Sequence, residues 1–293
     1  MKIYDCFMFF DEEMLLDLRL NIMNKYVDKF VITEARYMHS GRSKKLVFDI
    51  NKYKKFREKI VYHVIDEQPP DIAPVYEDDD KATRGTKLIN NSSKREHYQR
   101  ELLKKSLKEL EPDDFIIISD IDEIPNLEKI NLNKIKKKLV LFKQKMFYYK
   151  FNLLYEKMSW FGSKACRKKN FISPQWLRDV KSKKYPIWRL DILFSKNKYH
   201  DIYYVENGGW HFTNIRSPED IEKKFSNFLH HQDFEESGLK LSDIQQMVKM
   251  NKVLYDHTAD QKDFKWGGNS ILINTSLSNL PDYLCRNYEK YKN

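Results

Sequence analysis

The feature that most constrains this chain is a short apolar run that leads directly into a group of acids. Residues 113–125 read Asp-Asp-Phe-Ile-Ile-Ile-Ser-Asp-Ile-Asp-Glu-Ile-Pro. The run at residues 115–118 is continuous, short and β-branched, which predicts a strand that is buried on both faces. Pro125 is expected to stop that strand.

Three carboxylates, Asp120, Asp122 and Glu123, arrive together at the end of this predicted strand. They would repel one another unless a divalent cation lay between them, and hard cations prefer carboxylate oxygens. Asp120 and Asp122 are two residues apart, so an ideal strand would direct both side chains to the same face. The pattern therefore predicts a metal and diphosphate site. The alternative is a solvated acidic turn, since an isolated Asp-x-Asp is common.

The strands and helices alternate along the first part of the chain. Residues 2–10 and 27–33 are predicted strands with a helix between them, which is the unit of a parallel sheet. Residues 60–65 are a third strand. Residues 69–91 are rich in Pro, Asp and Asn and are predicted to form a long loop or lid. Residues 93–96 resemble a capping box, so the next helix is predicted to begin there.

The second part of the chain carries more aromatic and basic residues. The pattern predicts strands at 139–142 and 146–151, which could pair antiparallel, and at 187–194 and 201–205. Two glycines precede a Trp-His turn at 208–212, and Ser217 begins a helix. A last helix is predicted over residues 241–255. No long linker separates two cores, which favours one domain with a nucleotide-sugar half at about residues 1–125 and an acceptor-side half at about 126–293.

Composition limits the class of protein. The chain has 293 residues, 41% of them hydrophobic, and a formal net charge of +10. The charge suits an anionic partner such as a nucleotide diphosphate, nucleic acid or an acidic membrane surface. Three widely spaced cysteines form neither a disulfide framework nor a metal cluster. No apolar run reaches 18 residues and no convincing signal peptide is present, so we expect a cytoplasmic protein without a transmembrane segment.

Several segments, taken in order, are similar to glycosyltransferase family 17. They are residues 3–10, 30–35, 39–42 with Lys44, 99–100, 118–125, 209–212 and 231–234. The resemblance implies a single domain of the GT-A type, with a central, mostly parallel but mixed sheet flanked by helices. It also implies a UDP-sugar donor, Mn²⁺ or Mg²⁺ as cofactor, and inverting transfer to a glycan acceptor. N-acetylglucosamine is the donor sugar that the resemblance favours.

The resemblance and the chemistry of the residues together suggest roles for particular side chains. Asp122, with Asp120 near it and His211 as a third ligand, would bind the metal and stabilise the leaving group. Inversion needs a carboxylate base, and Asp233 is preferred over Glu123 and Glu206. The predicted donor-binding residues are Glu34, Ser40, Gly41, Lys44, Arg95, Arg100, Asp120 and Trp210.

Three other kinds of protein stay open at this point. A basic nucleic-acid-binding protein would explain the charge but not the acids, which repel phosphate unless a metal is present. A glycan-binding module would use the aromatic residues but has no need of the acids. A metal-dependent phosphoesterase is the enzymatic alternative. We expect no nucleic acid among the partners, and peripheral contact with a membrane remains open.

Overall fold

A computed structural model describes residues 1–186, 188–227, 231–256, 265–267 and 270–292, without the side chain of Gln232. The described strands form two sheets. The strands are β1 Ile3–Met8, β2 Lys29–Ala35, β3 Ile60–Ile65, β4 Phe115–Asp120, β5 Glu123–Pro125, β6 Leu139–Phe142, β7 Gln144–Tyr148, β8 Leu153–Trp160, β9 Lys164–Arg167, β10 Ile202–Val205, β11 Gly209–Thr213 and β12 Ile273–Asn274.

The helices lie between and around these strands. The α-helices are α1 Glu13–Met23, α2 Lys81–Glu101, α3 Pro174–Asp179, α4 Pro218–Phe225, α5 His231–Ser237, α6 Leu241–Lys249, α7 Asp282–Arg286 and α8 Tyr288–Tyr291. The 3₁₀ helices are Ile50–Lys59, Leu102–Leu107, Leu127–Lys129, Leu132–Lys134, Lys168–Asn170, Leu190–Phe194 and Leu277–Asn279. No helix in these described ranges is long and apolar enough to cross a membrane.

The larger sheet is mixed and mostly parallel, as the sequence predicts. Its strand order is β10-β6-β9-β4-β1-β2-β3. β1 pairs in parallel with both β2 and β4, whereas β9 runs antiparallel to its neighbours β4 and β6. Alternate side chains of β4 enter two different apolar clusters, Phe115 and Ile117 in one, Ile116 and Ile118 in the other. The prediction that this strand is buried on both faces is therefore confirmed.

The smaller sheet has the order β12-β8-β7-β11-β5. β11 pairs in parallel with β7 and antiparallel with β5. The chain passes from the larger sheet to the smaller one at the turn between β4 and β5, and it later returns to the larger sheet with β6, β9 and β10. Neither sheet therefore belongs to only one side of residue 125. The division into one domain with two halves stays a prediction.

The predicted loop at residues 69–91 is wrong in its second part. α2 begins at Lys81, and Asp80 caps it by accepting hydrogen bonds from the amides of Ala82 and Thr83, at 2.9 and 3.0 Å. The predicted capping box at residues 93–96 lies inside this helix. The buried residues of α2 are polar (Asn91, Ser92, Arg95, Gln99 and Arg100), so the helix has no apolar stripe for a sequence pattern to detect.

Other boundaries also differ from the prediction. β5 extends through Pro125, and the Gly-Trp-His turn is a strand, β11, within the smaller sheet. The strands predicted at 139–142 and 146–151 lie in different sheets instead of pairing. Residues 190–194 form a 3₁₀ helix where a strand was predicted, and Ile187 lies outside the described residues. The last long helix ends at Lys249.

Candidate active site

A buried arginine shapes the acidic turn between β4 and β5. Arg19 on α1 is fully buried and binds both oxygens of Asp5 on β1, at 2.8 and 2.6 Å. The same guanidinium donates to the backbone carbonyls of Asp120, Ile121 and Glu123, at 3.1, 3.3 and 2.7 Å. Arg19 thus holds the backbone of the turn against the central strand. The three acidic side chains are not needed for this contact.

The pairing of β5 with β11 brings the Gly-Trp-His segment to the acids. Glu123 lies opposite His211 in this antiparallel pair, and the amide of Phe212 donates to the carbonyl of Asp122 at 2.8 Å. Gly209 has a φ of +134°, and a Cβ there would lie 2.2 Å from the carbonyl of Ile124. Glycine is therefore required at this position for β11 to approach β5 so closely.

The acids line a cleft of about 490 Å³ beside the carboxyl ends of β1 and β4. Its walls come from both sheets and from α2, α3 and α4. Besides the acids, the wall residues include Phe9, His39, Glu96, Trp160, Arg178 and Lys224. In open α/β sheets, ligands bind at this edge, just beyond the carboxyl ends of the strands.

Arg178 on α3 is the main cation at the acids. Its guanidinium binds both oxygens of Glu123, at 2.7 and 2.8 Å, and one oxygen of Asp120, at 2.6 Å. The Glu123 carboxylate also accepts from the amide of Asp120 and the indole of Trp160. Burial raises the pKa of Glu123, but Arg178 and then His211 outweigh burial and leave that pKa below its ordinary value. Glu123 is thus an ionised carboxylate whose two oxygens are both bound by donors.

The Asp120 carboxylate lies between two arginines. Arg100 on α2 contacts its other oxygen at 3.2 Å and is itself held by Glu96 and Gln175, both at 2.6 Å. Burial raises the pKa of Asp120, and Arg178 and Arg100 lower it without cancelling that effect. Arg100 is only 2% exposed, so a ligand in the cleft could not reach it directly. Its effect on the site is exerted through its contact with Asp120.

Asp122 and His211 form a separate pair on the other side of the turn. Oδ2 of Asp122 lies 3.5 Å from Nε2 of His211, and the indole of Trp160 packs on the imidazole with ring centroids 5.1 Å apart. Burial raises the pKa of Asp122, but His211 and more weakly Lys224 and Arg178 bring it well below its ordinary value. In the described structure, Nδ1 of His211 is buried without a hydrogen-bond partner.

The predicted metal ligands can be compared with this geometry. The described residues contain no group of three or more His, Cys, Asp or Glu side chains arranged to hold a metal ion. Asp120 is already bound by two guanidinium groups. Asp122 and His211 fit a cation better, because neighbouring ligands of an octahedral Mg²⁺ lie about 3 Å apart at its bond lengths of about 2.1 Å. Their two facing atoms are 3.5 Å apart.

Four of the predicted donor-binding residues hold the loop after β2 in place. Glu34 is fully buried and accepts from Lys44, from the amides of Val47 and Phe48, and from the hydroxyl of Tyr62. Arg95 donates to Gln68 and to the carbonyl of His39, and its guanidinium lies against Gly41, which has a φ of +95°.

The remaining predicted residues lie on different elements, each with contacts of its own. Ser40 donates its amide to Asn227, which lines the cleft. Trp210 points into the core beside His211 and donates its indole N–H to the carbonyl of Asn279. Asp233 is half-buried on α5, where its neighbour Phe234 stacks on Phe225 of the cleft wall. Glu206 is exposed and paired with Lys143.

The residues absent from the predicted site come mainly from distant parts of the chain. Arg178 and Trp160 belong to the aromatic and basic stretch at residues 160–178, but their sequence context does not indicate which of its residues meet the acids. Lys224 reaches the site from α4, where it donates to Asn214 at 3.1 Å. These residues come from β8, α3 and α4, which are far apart in the chain. No regular spacing in the sequence could therefore identify them as one cluster.

Comparison with known proteins identifies the family of the chain. A search of curated proteins found no match. A family model described as glycosyltransferase family 17 matches residues 1–293, the whole chain. With an α/β fold and an acidic cleft at the strand ends, the chain belongs to glycosyltransferase family 17.

Proposed function

We propose that this glycosyltransferase transfers a sugar from a UDP-sugar to a hydroxyl group of a glycan, with inversion, in a domain of the GT-A type. N-acetylglucosamine is the first donor sugar to test. The observation that carries the proposal is the contact between Asp122 and His211, in a cleft at the carboxyl ends of parallel strands. Family membership supports transfer over phosphoester hydrolysis and over binding without catalysis.

The charges around the cleft support a role for a cation. Among the residues that the structure describes, five acids line the cleft: Glu12, Glu96, Asp120, Asp122 and Glu123. Four cations of this described part contact or face them: Arg100, Arg178, Lys224 and Arg216. Since the acids outnumber the cations, an anionic diphosphate would enter this cleft more easily together with a divalent ion.

We propose that Asp122 and His211 hold this ion, Mn²⁺ or Mg²⁺. When bound, it would neutralise the diphosphate and stabilise UDP as the leaving group. Protein residues do the remaining work. Arg178 and Arg100 neutralise Asp120 and Glu123, and Trp160 orients the imidazole of His211 by packing on it. The partly buried face of Trp160 in the cleft suits a sugar ring.

An assay of UDP release tests the donor and the metal. The purified protein is incubated with a panel of UDP-sugars, with Mn²⁺, with Mg²⁺ and with a chelator. We expect release from one UDP-sugar, loss of release with the chelator, and at least about a 100-fold loss in Asp122→Asn, as for removal of a group that stabilises developing charge. Asp66→Asn, a surface residue paired with Arg36, is the matched control. Equal release with and without the chelator would contradict the metal assignment alone.

Asp233 remains our candidate for the general base, with Glu123 as the alternative. Because donors bind both oxygens of Glu123 and its pKa is lowered, it suits a positioning role better than proton transfer. We expect Asp233→Asn to lose turnover while its UDP affinity, measured by calorimetry, stays within about two-fold of the parent. Full turnover in that variant would remove Asp233 from the mechanism.

A further inference from the structure

A group of large apolar side chains is exposed far more than is usual for a folded protein. Trp188 is 80% exposed and Phe194 90%, and Leu190 and Leu193 are exposed by 68% and 72%. Three of them lie on the 3₁₀ helix Leu190–Phe194. A contiguous exposed apolar patch marks an interaction surface, whereas single exposed residues do not.

The same segment, residues 181–198, is strongly basic. It contains six cations, Lys181, Lys183, Lys184, Arg189, Lys196 and Lys198, and one acid, Asp191. Arg189 binds both oxygens of Asp191, at 2.8 and 2.6 Å. Lys181, Lys183, Lys184 and Lys196 are exposed. The apolar side chains are therefore flanked in sequence by lysines whose charges are largely uncompensated within the segment.

The two ends of the segment are joined to each other, and one of them is also held to α3. The amide of Lys181 donates to the carbonyl of Asn197 at 2.8 Å, and the indole of Trp176 donates to the carbonyl of Lys196 at 2.9 Å. Ile192 is the buried residue of the 3₁₀ helix. The exposed side chains thus project from an anchored base, and less conformational entropy is lost when they bind a partner.

We propose that residues 181–198 dock the protein on an anionic lipid bilayer. Exposed Trp, Phe and Leu suit the boundary between headgroups and acyl chains, and lysines beside them are attracted by acidic headgroups. A second copy of the chain is a poor partner, because pairing this surface with itself would bring two sets of six cations together. The formal net charge of +10 also favours binding to an anionic surface.

Docking through this segment would hold the cleft close to the bilayer. Lys181 follows Arg178 by three residues, so their Cα atoms are at most about 11 Å apart. Arg178 binds the acids of the cleft. None of the segment's described residues, 181–186 and 188–198, is among those that line the cleft, and the variants change only these residues. Failure of the docking proposal would therefore leave the proposed function unaffected.

Vesicle cosedimentation tests the proposal with the full chain. The vesicles are phosphatidylcholine alone or with about 30% phosphatidylglycerol, in about 0.1 M and about 0.5 M salt. Three lysines are reversed in Lys181→Glu/Lys183→Glu/Lys196→Glu, and the apolar tips are removed in Trp188→Ser/Phe194→Ser. The matched controls reverse charge at exposed residues 54, 55 and 57 (Lys54→Glu/Lys55→Glu/Arg57→Glu) or remove exposed apolar residues elsewhere (Met250→Ser/Ile271→Ser).

We expect binding to the anionic vesicles that weakens in high salt. Each lysine near the surface contributes roughly five-fold, so the triple variant should bind at least about 100-fold more weakly. The apolar variant should lose about ten-fold or more. Both should keep the parent's melting temperature, since the altered side chains are exposed, and both controls should bind like the parent.

Three results would overturn the proposal. The first is no binding to anionic vesicles by the parent. The second is equal binding by the parent and Trp188→Ser/Phe194→Ser, which would mean that general positive charge attracts the protein to lipid. The third is a dimer in sedimentation velocity that the apolar variant converts to a monomer, which would assign the surface to self-association.

Discussion

Replacing Arg178 by Gln tests the electrostatics of the site most directly. In the parent, this guanidinium makes two hydrogen bonds to Glu123 and one to Asp120. Glu123 is 1% exposed, so the variant would leave a buried carboxylate without its main counter-ion. Breaking a buried ion pair by removing one partner costs about 3–5 kcal/mol of the free energy of unfolding.

The loss should depend on pH in a defined direction. In the parent, the pKa of Glu123 is lowered, so its ionised form stabilises the fold above the ordinary carboxyl pKa, and that stabilisation fades as pH falls. In the variant, burial would raise the pKa of Glu123 above its unfolded value. A protonated Glu123 would then favour the folded state at low pH, and this advantage would be lost as pH rises. The difference between parent and variant should therefore grow between about pH 4 and pH 8.

Urea unfolding at several pH values measures this difference. Arg36→Gln is the control, because Arg36 and its partner Asp66 are more than half exposed, and such a pair contributes about 0–1 kcal/mol. Arg178→Lys keeps the charge but lacks the planar fork, so it should recover only part of the loss. A loss below about 1 kcal/mol for Arg178→Gln, or a loss that does not change with pH, would refute the reasoning.

Three further substitutions test other parts of the site. Gly162→Ala would place a Cβ 2.0 Å from the Glu123 carboxylate, so we expect about 1–3 kcal/mol of lost stability together with weaker UDP binding; an unchanged melting temperature would contradict this. His211→Ala should raise the Mn²⁺ concentration needed for turnover by about 10-fold or more at matched folded fraction, measured by metal titration, whereas an unchanged requirement would exclude His211 as a ligand. Gly41→Ala combines a φ of +95° with a Cβ 2.8 Å from Arg95, so thermal unfolding should show a loss of about 1–3 kcal/mol; full stability would mean that this loop moves at little cost.

The structure also places the three acids, which the sequence presents as one cluster, in two different environments. Glu123 and Asp120 are neutralised by Arg178 and Arg100, whereas Asp122 faces His211. A single cation shared by all three acids, as the Asp-x-Asp pattern suggests, would have to displace these guanidinium groups. The geometry therefore favours a cation bound on the Asp122 side of the turn.

Local patterns allowed much of the larger sheet to be predicted. The central strand was recognisable because its run of Phe and Ile is apolar on both faces, and Ser217 was recognisable as a cap because Pro and two acids follow it. α2 could not be delimited in this way. Its buried face is polar, and its arginines and Gln99 are stabilised by partners on other elements. Hydrophobic periodicity does not detect contacts of this kind.

The sequence by itself determined the α/β class, the acids at the end of a buried strand, and the resemblance that the family match confirms. These features depend on side-chain type and spacing within short stretches. Only the tertiary structure decided which cations meet which acids. Arg178 lies 55 residues from Glu123 in sequence, and Lys224 is further still from the acidic turn. His211 was predicted to lie beside Asp122, but from its motif and the family resemblance and not from any spacing to the acids. The pairing of β5 with β11 in the smaller sheet and the packing of α3 and α4 bring these residues together. No local pattern encodes a contact over such a separation.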